Sequence, residues 1–303
     1  MKRYRFFKAG VPHHVYIKAE NSFILFYTQE DVILYFTLYS CLARKYGIRA
    51  LSFCIMPNHI HSVEIAPDKK SFLEFHTQLG SIFTKEYNLW RNRKGKLLAS
   101  PFGYAPKTVT KRIRDAVCYV ANNPVAGGLS DSIVKYRWNL LSYNISPCPF
   151  SERLILREAS HRLRCAVRLL DCWLSSGRHL SYARQRAIFS RLNHKERSQI
   201  VDRIISKYNI LDYNALCSLY KVPYREVLSI MDLGKGNEFD LEDDFDNYSS
   251  YHEMIRLLSC QGFDLQQYDF GSADREDISR LYSFLRGQGF KEAQIRKLLH
   301  LKE

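Results

Sequence analysis

The sequence predicts an α+β fold, with a ferredoxin-like antiparallel sheet and its helices over residues 1–145, followed by a mostly α-helical region over 146–303. Three observations carry this prediction: β-rich and helical segments alternate in the first half, helical patterns dominate after Trp138, and the chain has 303 residues. Because domains usually contain roughly 100 to 200 residues, this length favours two domains.

The first half contains four β-rich segments, at residues 12–17, 49–56, 60–65 and within 102–109. Helical periodicity predicts helices over 29–46, 71–92 and 110–122, and the last should stop at Pro124 because proline lacks the N–H a helix needs. Pro57-Asn58 favours a turn, which predicts a hairpin beside His59. The order strand, helix, strand, strand, helix, strand, helix is typical of a ferredoxin-like α+β unit.

The second half begins after Pro147-Cys148-Pro149, and residues 151–206 are predicted to form basic helices. The 195–232 segment has the pattern of a helix-turn-helix, which DNA-binding proteins share with many other helical hairpins. An acidic run over 238–246 is predicted to be a solvated linker, and 277–301 to form two further helices.

The net charge of +14 is unevenly distributed along the chain. Residues 1–150 carry 21 basic and 9 acidic side chains, 151–205 carry 12 and 5, and 206–303 carry 12 and 17. A basic surface of this kind favours a nucleic-acid partner over a membrane, although it is also compatible with a surface that only maintains solubility.

Cysteine spacing and hydropathy indicate a soluble cytoplasmic protein, which a DNA partner would associate with the nucleoid. The eight cysteines include no pair at the two-residue spacing of zinc or redox motifs, which favours buried thiols in a reducing compartment. The longest apolar run, over 32–43, is shorter than the roughly 20 residues of a membrane span, and no export signal core follows the basic N-terminus.

Two short patterns carry candidate chemistry. His59 and His61 are two residues apart in a predicted strand, so both imidazoles lie on one face and could bind a divalent metal. Tyr119 and Asn123 are four apart on a predicted helix and are therefore neighbours on a face distinct from the core stripe. Taken singly, these residues are more often surface histidines, a packed tyrosine and a helix terminator than members of a catalytic site.

These patterns lie within longer motifs. Residues 56–61 (MPNHIH), 119–129 (YVANNPVAGGL) and 136–138 (YRW) together resemble the HUH single-tyrosine transposases and, among these, the REP-associated tyrosine transposases. The resemblance covers about residues 1–145. One departure is Ala126, where relatives often carry arginine, and that DNA contact is expected to be absent.

The resemblance implies a metal-dependent transposase that cleaves and rejoins single-stranded or hairpin DNA, including REP-like DNA. His59, His61 and Asn123 would bind Mg²⁺ or Mn²⁺, with Asn122 as a competitor for the third ligand position. Tyr119 would be the nucleophile that forms a 5′-phosphotyrosine. The alternatives are a non-cleaving DNA-hairpin-binding protein or regulator derived from a transposase, a nuclease that uses water, and a helical transcription factor that acts through residues 195–232.

Basic side chains near these motifs are candidates for contacts with the DNA backbone, which would set affinity and its salt dependence. They are Arg91, Arg93, Lys94, Lys96, Lys107, Lys111, Arg112 and Arg114. The helical second half is expected either to read a folded DNA end or to hold the catalytic helix, and its length favours a monomer over a homodimer.

Overall fold

The computed structural model describes residues 6–234, 248–263 and 273–301. The acidic run at 238–246, predicted as a linker, lies outside these described residues. No helix within the described ranges is both long enough and apolar enough to cross a membrane.

The first half forms a four-stranded antiparallel sheet with three helices. Its strands are β1 (His13–Lys18), β2 (Arg49–Ile55), β3 (His59–Ile65) and β4 (Gly103–Pro106), in the spatial order β2-β3-β1-β4. Its helices are α1 (Gln29–Tyr46), α2 (Lys69–Trp90) and α3 (Thr110–Ala126). The order along the chain and the antiparallel pairing confirm the predicted α+β fold class.

Alternation along the strands gives the sheet two different faces. His13 of β1 lies against Phe72 of α2, and Glu64 of β3 accepts a hydrogen bond from Tyr39 of α1, so α1 and α2 cover one face. His14 of β1 contacts Tyr119 of α3, so α3 covers the other. The sheet therefore separates the side chains beneath α3 from those beneath α1 and α2.

Helix α3 corrects one prediction, because it continues through Pro124 to Ala126 instead of stopping before the proline. The pyrrolidine ring fixes φ near the helical value, so proline can occupy a last helical turn whose carbonyls find other partners. The carbonyl of Asn123 accepts from the Gly127 amide at 2.8 Å, and that of Pro124 accepts from the Leu129 amide at 2.8 Å.

The second half is helical, as predicted. Its helices are α4 (His161–Ser175), α5 (Tyr182–Phe189), α6 (His194–Tyr208), α7 (Tyr213–Tyr220), α8 (Tyr224–Leu233), α9 (Ser249–Cys260), α10 (Arg275–Gly287) and α11 (Glu292–Leu298). Short 3₁₀ helices occur at Glu20–Ser22, Ile133–Lys135, Arg137–Asn139 and Leu141–Asn144. Helix α9 was not predicted from the sequence. Helices α5 and α6 pack on α1, and α7 and α8 pack on α3.

A buried ion pair joins the two halves. The Asp31 carboxylate of α1 lies 2.6 Å from the Arg91 guanidinium at the end of α2, and it accepts a 2.6 Å hydrogen bond from the Tyr182 hydroxyl of α5. Asp31 is 0% exposed and Arg91 1%. Arg91 was predicted to contact DNA, and this was wrong, because a guanidinium buried in the core cannot reach a DNA phosphate.

Asp31→Asn should lower the free energy of unfolding by about 3–5 kcal/mol, because it leaves the buried charge of Arg91 without its counter-charge. Tyr182→Phe, the matched control, removes one hydrogen bond to the same carboxylate and should cost about 1–1.5 kcal/mol. Urea unfolding of both variants measures the difference. Equal losses would contradict the assignment of the ion pair as the dominant contact.

The described C-terminal residues return to the first half of the chain. The Tyr27 hydroxyl donates to the Leu298 carbonyl, and His300 donates from Nε2 to the Ile24 carbonyl at 2.8 Å while stacking on Phe23. Burial lowers the pKa of His300 to about 4, against a smaller raising effect of the Ile24 carbonyl. The folded protein therefore holds this imidazole neutral at pH values where an exposed histidine is protonated.

The lowered pKa of His300 predicts that the free energy of unfolding decreases at acidic pH. Between pH 6.5 and about 4 the unfolded chain binds a proton at His300 that the folded chain does not, so stability is lost as the pH falls through this window. The loss should reach about 2–3 kcal/mol near pH 4. Unfolding of wild type and His300→Phe at pH 7, 5.5 and 4.5 measures it as a shrinking stability difference. A constant difference would contradict the prediction.

Candidate active site

Strand β3 places His59 and His61 side by side beneath α3. The two ring centroids are 4.8 Å apart with planes at 85°, and the side chains are 3% and 0% exposed. The hairpin turn holds this end of the strand, because the Met56 amide donates to the His59 carbonyl at 2.8 Å. The two-residue spacing therefore converges both imidazoles on one site.

Helix α3 brings Tyr119 and Asn123 to the same site. The Tyr119 ring lies 5.7 Å from the His61 ring, edge to face, and Asn123 Oδ1 lies 3.4 Å from His59 Nε2. Tyr119 is 7% exposed and Asn123 6%. The structure thus brings together the four residues that the motifs single out, although their chemical roles remain predictions.

The neighbouring amide of Asn122 points elsewhere. Its Nδ2 lies 2.7 Å from the carbonyl oxygens of both Met231 and Gly234, and 3.0 Å from that of Cys118. Asn122 therefore ties α3 to the end of α8. Of the two candidates for a third ligand, Asn123 is the one beside the histidines.

Strand β1 adds two residues that were not singled out from the sequence. His14 Nε2 lies 2.9 Å from His61 Nδ1, and the Tyr16 ring stacks on His61 at 4.7 Å with an angle of 16°. His14 also lies edge-on to Tyr119, with ring centroids 5.8 Å apart. The two-residue spacing of His14 and Tyr16 in a predicted strand was a usable signal, but strand pairing was needed to bring them to His61.

Two further residues contact the other nitrogen of His59. Asn58 Oδ1 lies 2.6 Å from His59 Nδ1, and the Tyr248 hydroxyl lies 3.4 Å from the same atom. Tyr248 precedes α9 and its amide donates to the Gly127 carbonyl at 2.8 Å. A β-carbon on Gly127 would lie only 2.9 Å from Met56 Cε and from Tyr248 Cδ2, so a larger residue would displace the Tyr248 ring.

These contacts favour one tautomer of His59. Asn58 Oδ1 accepts from Nδ1–H, and in the tautomer that this bond selects the Nε2 lone pair faces Asn123 Oδ1 at 3.4 Å. A cation bound between Nε2 and Oδ1 would make this approach of two acceptor atoms favourable. Burial, followed by repulsion from His59 and His14, holds the pKa of His61 well below its usual value, so His61 is neutral near pH 7.

The donor set fits a divalent metal ion. Imidazole nitrogen and amide oxygen are suitable ligands for Mn²⁺, and Mg²⁺ accepts oxygen ligands together with water. Two atoms bound to one ion at about 2.1 Å lie roughly 3.0–3.5 Å apart, which matches the 3.4 Å between His59 and Asn123. No group of three His, Cys, Asp or Glu side chains in the described ranges could hold an ion, and the Asn123 amide is the further ligand candidate beside the histidines.

The predicted DNA contacts fall into two groups. Lys94, Lys96, Lys111 and Arg112 are exposed, although Lys96 pairs with Glu20 at 2.9 Å. Arg93 is half-buried and donates to Asn88 Oδ1 and the Lys96 carbonyl, which holds the basic loop together. The exposed side chains lie in the loop after α2 and at the start of α3.

The second group does not fit the prediction. Lys107 is 3% exposed, so burial removes its side chain from any DNA surface, as it does for Arg91. Arg114 donates to the Leu219 carbonyl at 2.7 Å and lies over the Tyr220 ring at 5.3 Å, so it holds α3 against α7. The sequence alone does not distinguish Arg91, Lys107 and Arg114 from basic residues that are exposed.

Comparisons with known proteins give little further support. No protein family and no curated protein matches the chain. A solved structure of a REP-associated tyrosine transposase bound to a REP hairpin is 16% identical, covers 48% of this chain and 86% of its own, and superposes with a TM-score of 0.39. A score this low is too weak to assign a fold, which rests instead on the strand order given above.

Asn122→Ala and Asn123→Ala form a matched pair on one helical turn. Asn122→Ala should lower the free energy of unfolding by about 1–3 kcal/mol, because it leaves buried carbonyls of α8 without a donor. Asn123→Ala should cost less than about 1 kcal/mol, since the Asn123 side chain lies 3.4 Å from His59 Nε2 and 3.5 Å from the Tyr119 carbonyl, distances that contribute little to stability. Urea unfolding compares them, and a larger loss for Asn123→Ala would reverse the assignment.

Proposed function

We propose that this chain is a metal-dependent single-strand DNA endonuclease and strand transferase in which Tyr119 is the nucleophile. The observation that carries the proposal is the 3.4 Å approach of His59 Nε2 to Asn123 Oδ1, beside the Tyr119 ring and His61. A packing role for Tyr119 needs no such arrangement. The choice of DNA as substrate is supported by the resemblance of the motifs to HUH transposases and by the basic first half of the chain.

The chemistry proposed for Tyr119 is a direct displacement at phosphorus. Its phenolic oxygen forms a bond to the scissile phosphorus as the bond to the 3′ oxygen breaks, and the phenol proton ends on that oxygen. The products are a 5′-phosphotyrosine and a free 3′-hydroxyl. Since an ordinary phenol has a pKa of about 10, the proton must leave as the attack proceeds.

His59, His61 and Asn123 are the residues that would hold the metal ion. A bound Mg²⁺ or Mn²⁺ would polarise the scissile phosphate and take up negative charge as the transition state forms. Asn58 and His14 act on the ligands, since each contacts the Nδ1 atom of one imidazole and so fixes its orientation.

The covalent intermediate explains why a tyrosine would serve better than water. The phosphotyrosine bond retains the free energy of the phosphodiester, so a 3′-hydroxyl of another strand can attack it and rejoin the DNA without a nucleotide cofactor. Exposed Lys94, Lys111 and Arg112 are the candidates to hold the strand by its phosphates. Cleavage and rejoining of single-stranded or hairpin DNA follow from this one step.

The helical second half supports the site by holding α3. Arg114 bonds to α7, and Asn122 bonds to the end of α8, on either side of Tyr119 along the helix. His59, His61, Tyr119 and Asn123 all come from one chain, which supports activity as a monomer. We therefore assign α7 and α8 a role in positioning the catalytic helix.

The test is a covalent adduct with DNA. Wild type incubated with Mn²⁺ and a set of hairpin and single-stranded oligonucleotides should give an adduct that survives SDS, and EDTA should abolish it. Tyr119→Phe should form none, because the nucleophilic oxygen is gone. Tyr16→Phe and Tyr248→Phe, which alter tyrosines in contact with the same histidines, should retain it.

Two outcomes would reject the proposal in different ways. Cleavage by Tyr119→Phe would indicate a nuclease that uses water. Binding of hairpins without any cleavage or adduct in Mn²⁺ would indicate a DNA-binding protein that no longer cuts.

A further inference from the structure

A cavity of about 410 Å³ lies on the opposite face of the sheet from the histidine site. It opens between α2 and the chain before β4, with exposed Thr77 and Pro101 at its edge. Most of its wall is apolar and includes Ile17, Leu79 and Phe102. Its volume falls within the roughly 300–1,000 Å³ of small-molecule sites, which are typically apolar with a few polar groups.

Two polar side chains form part of this wall. Tyr35 is 0% exposed and His76 is 4% exposed. Among the described residues, neither Tyr35 Oη nor His76 Nδ1 has a hydrogen-bond partner. Because buried polar atoms are nearly always hydrogen-bonded, two such atoms in the wall of one cavity point to a ligand with matching groups.

The neighbouring carboxylate determines what these atoms offer. Glu64 lies 3.0 Å from His76 Nε2 and also accepts from the Tyr39 and Ser62 hydroxyls. Burial raises the pKa of Glu64, but His76 and these hydrogen bonds outweigh it and keep the group ionised. Because a carboxylate only accepts, this contact selects the His76 tautomer that donates from Nε2 and has its lone pair on Nδ1.

Tyr35 supplies a hydrogen-bond donor, whereas His76 Nδ1 is an acceptor. Burial, reinforced by the charge of Glu64, holds the pKa of Tyr35 well above its usual value, so its hydroxyl stays protonated and can donate. Tyr35 and His76 thus offer one buried donor and one buried acceptor, and the hydroxyls of Thr77, Thr84 and Ser100 and the Lys96 ammonium also line the cavity. Burial disfavours any ion beside Tyr35 and His76, so the part of a ligand that contacts these two side chains is uncharged.

We propose that this cavity binds a small cyclic amide, an uncharged planar ring with neighbouring C=O and N–H groups. The C=O accepts from the Tyr35 hydroxyl, the N–H donates to His76 Nδ1, and the ring lies against Phe102 and the leucines of the wall. Free heterocycles carry this edge, and so does an unpaired thymine in DNA.

Gly80 of α2 is a position at which one substitution can block the cavity and another can serve as its control. A β-carbon there would meet only Leu98 Cδ1, at 3.7 Å, so alanine fits without strain. A leucine at the same position extends into the cavity that Gly80 and Leu98 line. Gly80→Leu is therefore the blocking variant and Gly80→Ala its matched control.

The experiment titrates the full-length protein with 2-pyridone, using pyridine, which lacks the amide, as the comparison ligand. Calorimetry should detect saturable binding of 2-pyridone but not pyridine in wild type and Gly80→Ala, and at least a tenfold loss in Gly80→Leu. Tyr35→Phe should weaken binding about tenfold without lowering the unfolding midpoint, because the hydroxyl has no partner among the described residues to lose. Absence of binding to wild type, or equal binding by Gly80→Leu, would overturn the proposal.

A second arm identifies the source of the ring. Wild type and Gly80→Leu are compared for affinity to a DNA hairpin with one unpaired thymine and to the same hairpin without it. A preference for the thymine hairpin that Gly80→Leu loses would assign the cavity to DNA. An unchanged preference, together with lost 2-pyridone binding, would assign it to a free molecule. Neither readout requires cleavage, so the result is independent of the proposed function.

Discussion

The buried Asp31 carboxylate is the contact on which the rest of the architecture depends. It lies in the first turn of α1, pairs with Arg91 just after α2, and accepts from Tyr182 at the start of α5. Removing two charges from water is costly, and the pair is stable only because each group has its counter-charge and hydrogen bonds. The same contact therefore orients the two helices beneath the sheet and docks the helical half against them.

Successive side chains of a strand point to opposite faces of the sheet, and here each face carries a polar site. On β3, His59 and His61 lie beneath α3, whereas Ser62 and Glu64 bond to one another and, through Glu64, to α1 and α2. The first set faces Tyr119 and the second stands behind the cavity. Each site combines imidazole with a tyrosine, and the buried carboxylate of Glu64 lies on the cavity side.

Helix α3 is the element that both halves of the chain share. The side-chain amides of two adjacent residues have different partners, since Asn123 faces His59 and Asn122 bonds to the carbonyls at the end of α8. A one-residue difference rotates a side chain by about 100° around the helix axis, which is enough to change its partner completely. The helical half is therefore a support for the site as well as a basic surface.

Local spacing determined much of this protein. Periodicities of two and 3.6 residues are properties of the backbone, so they predicted the strands and helices, paired His59 with His61, and placed Tyr119 beside Asn123. Tertiary packing decided which side chains are buried and which distant residues come into contact, and local spacing does not predict either. It buried Arg91 and Lys107, carried α3 through Pro124, and brought His14 and the distant Tyr248 to the histidines, because these outcomes depend on partners far away in the sequence.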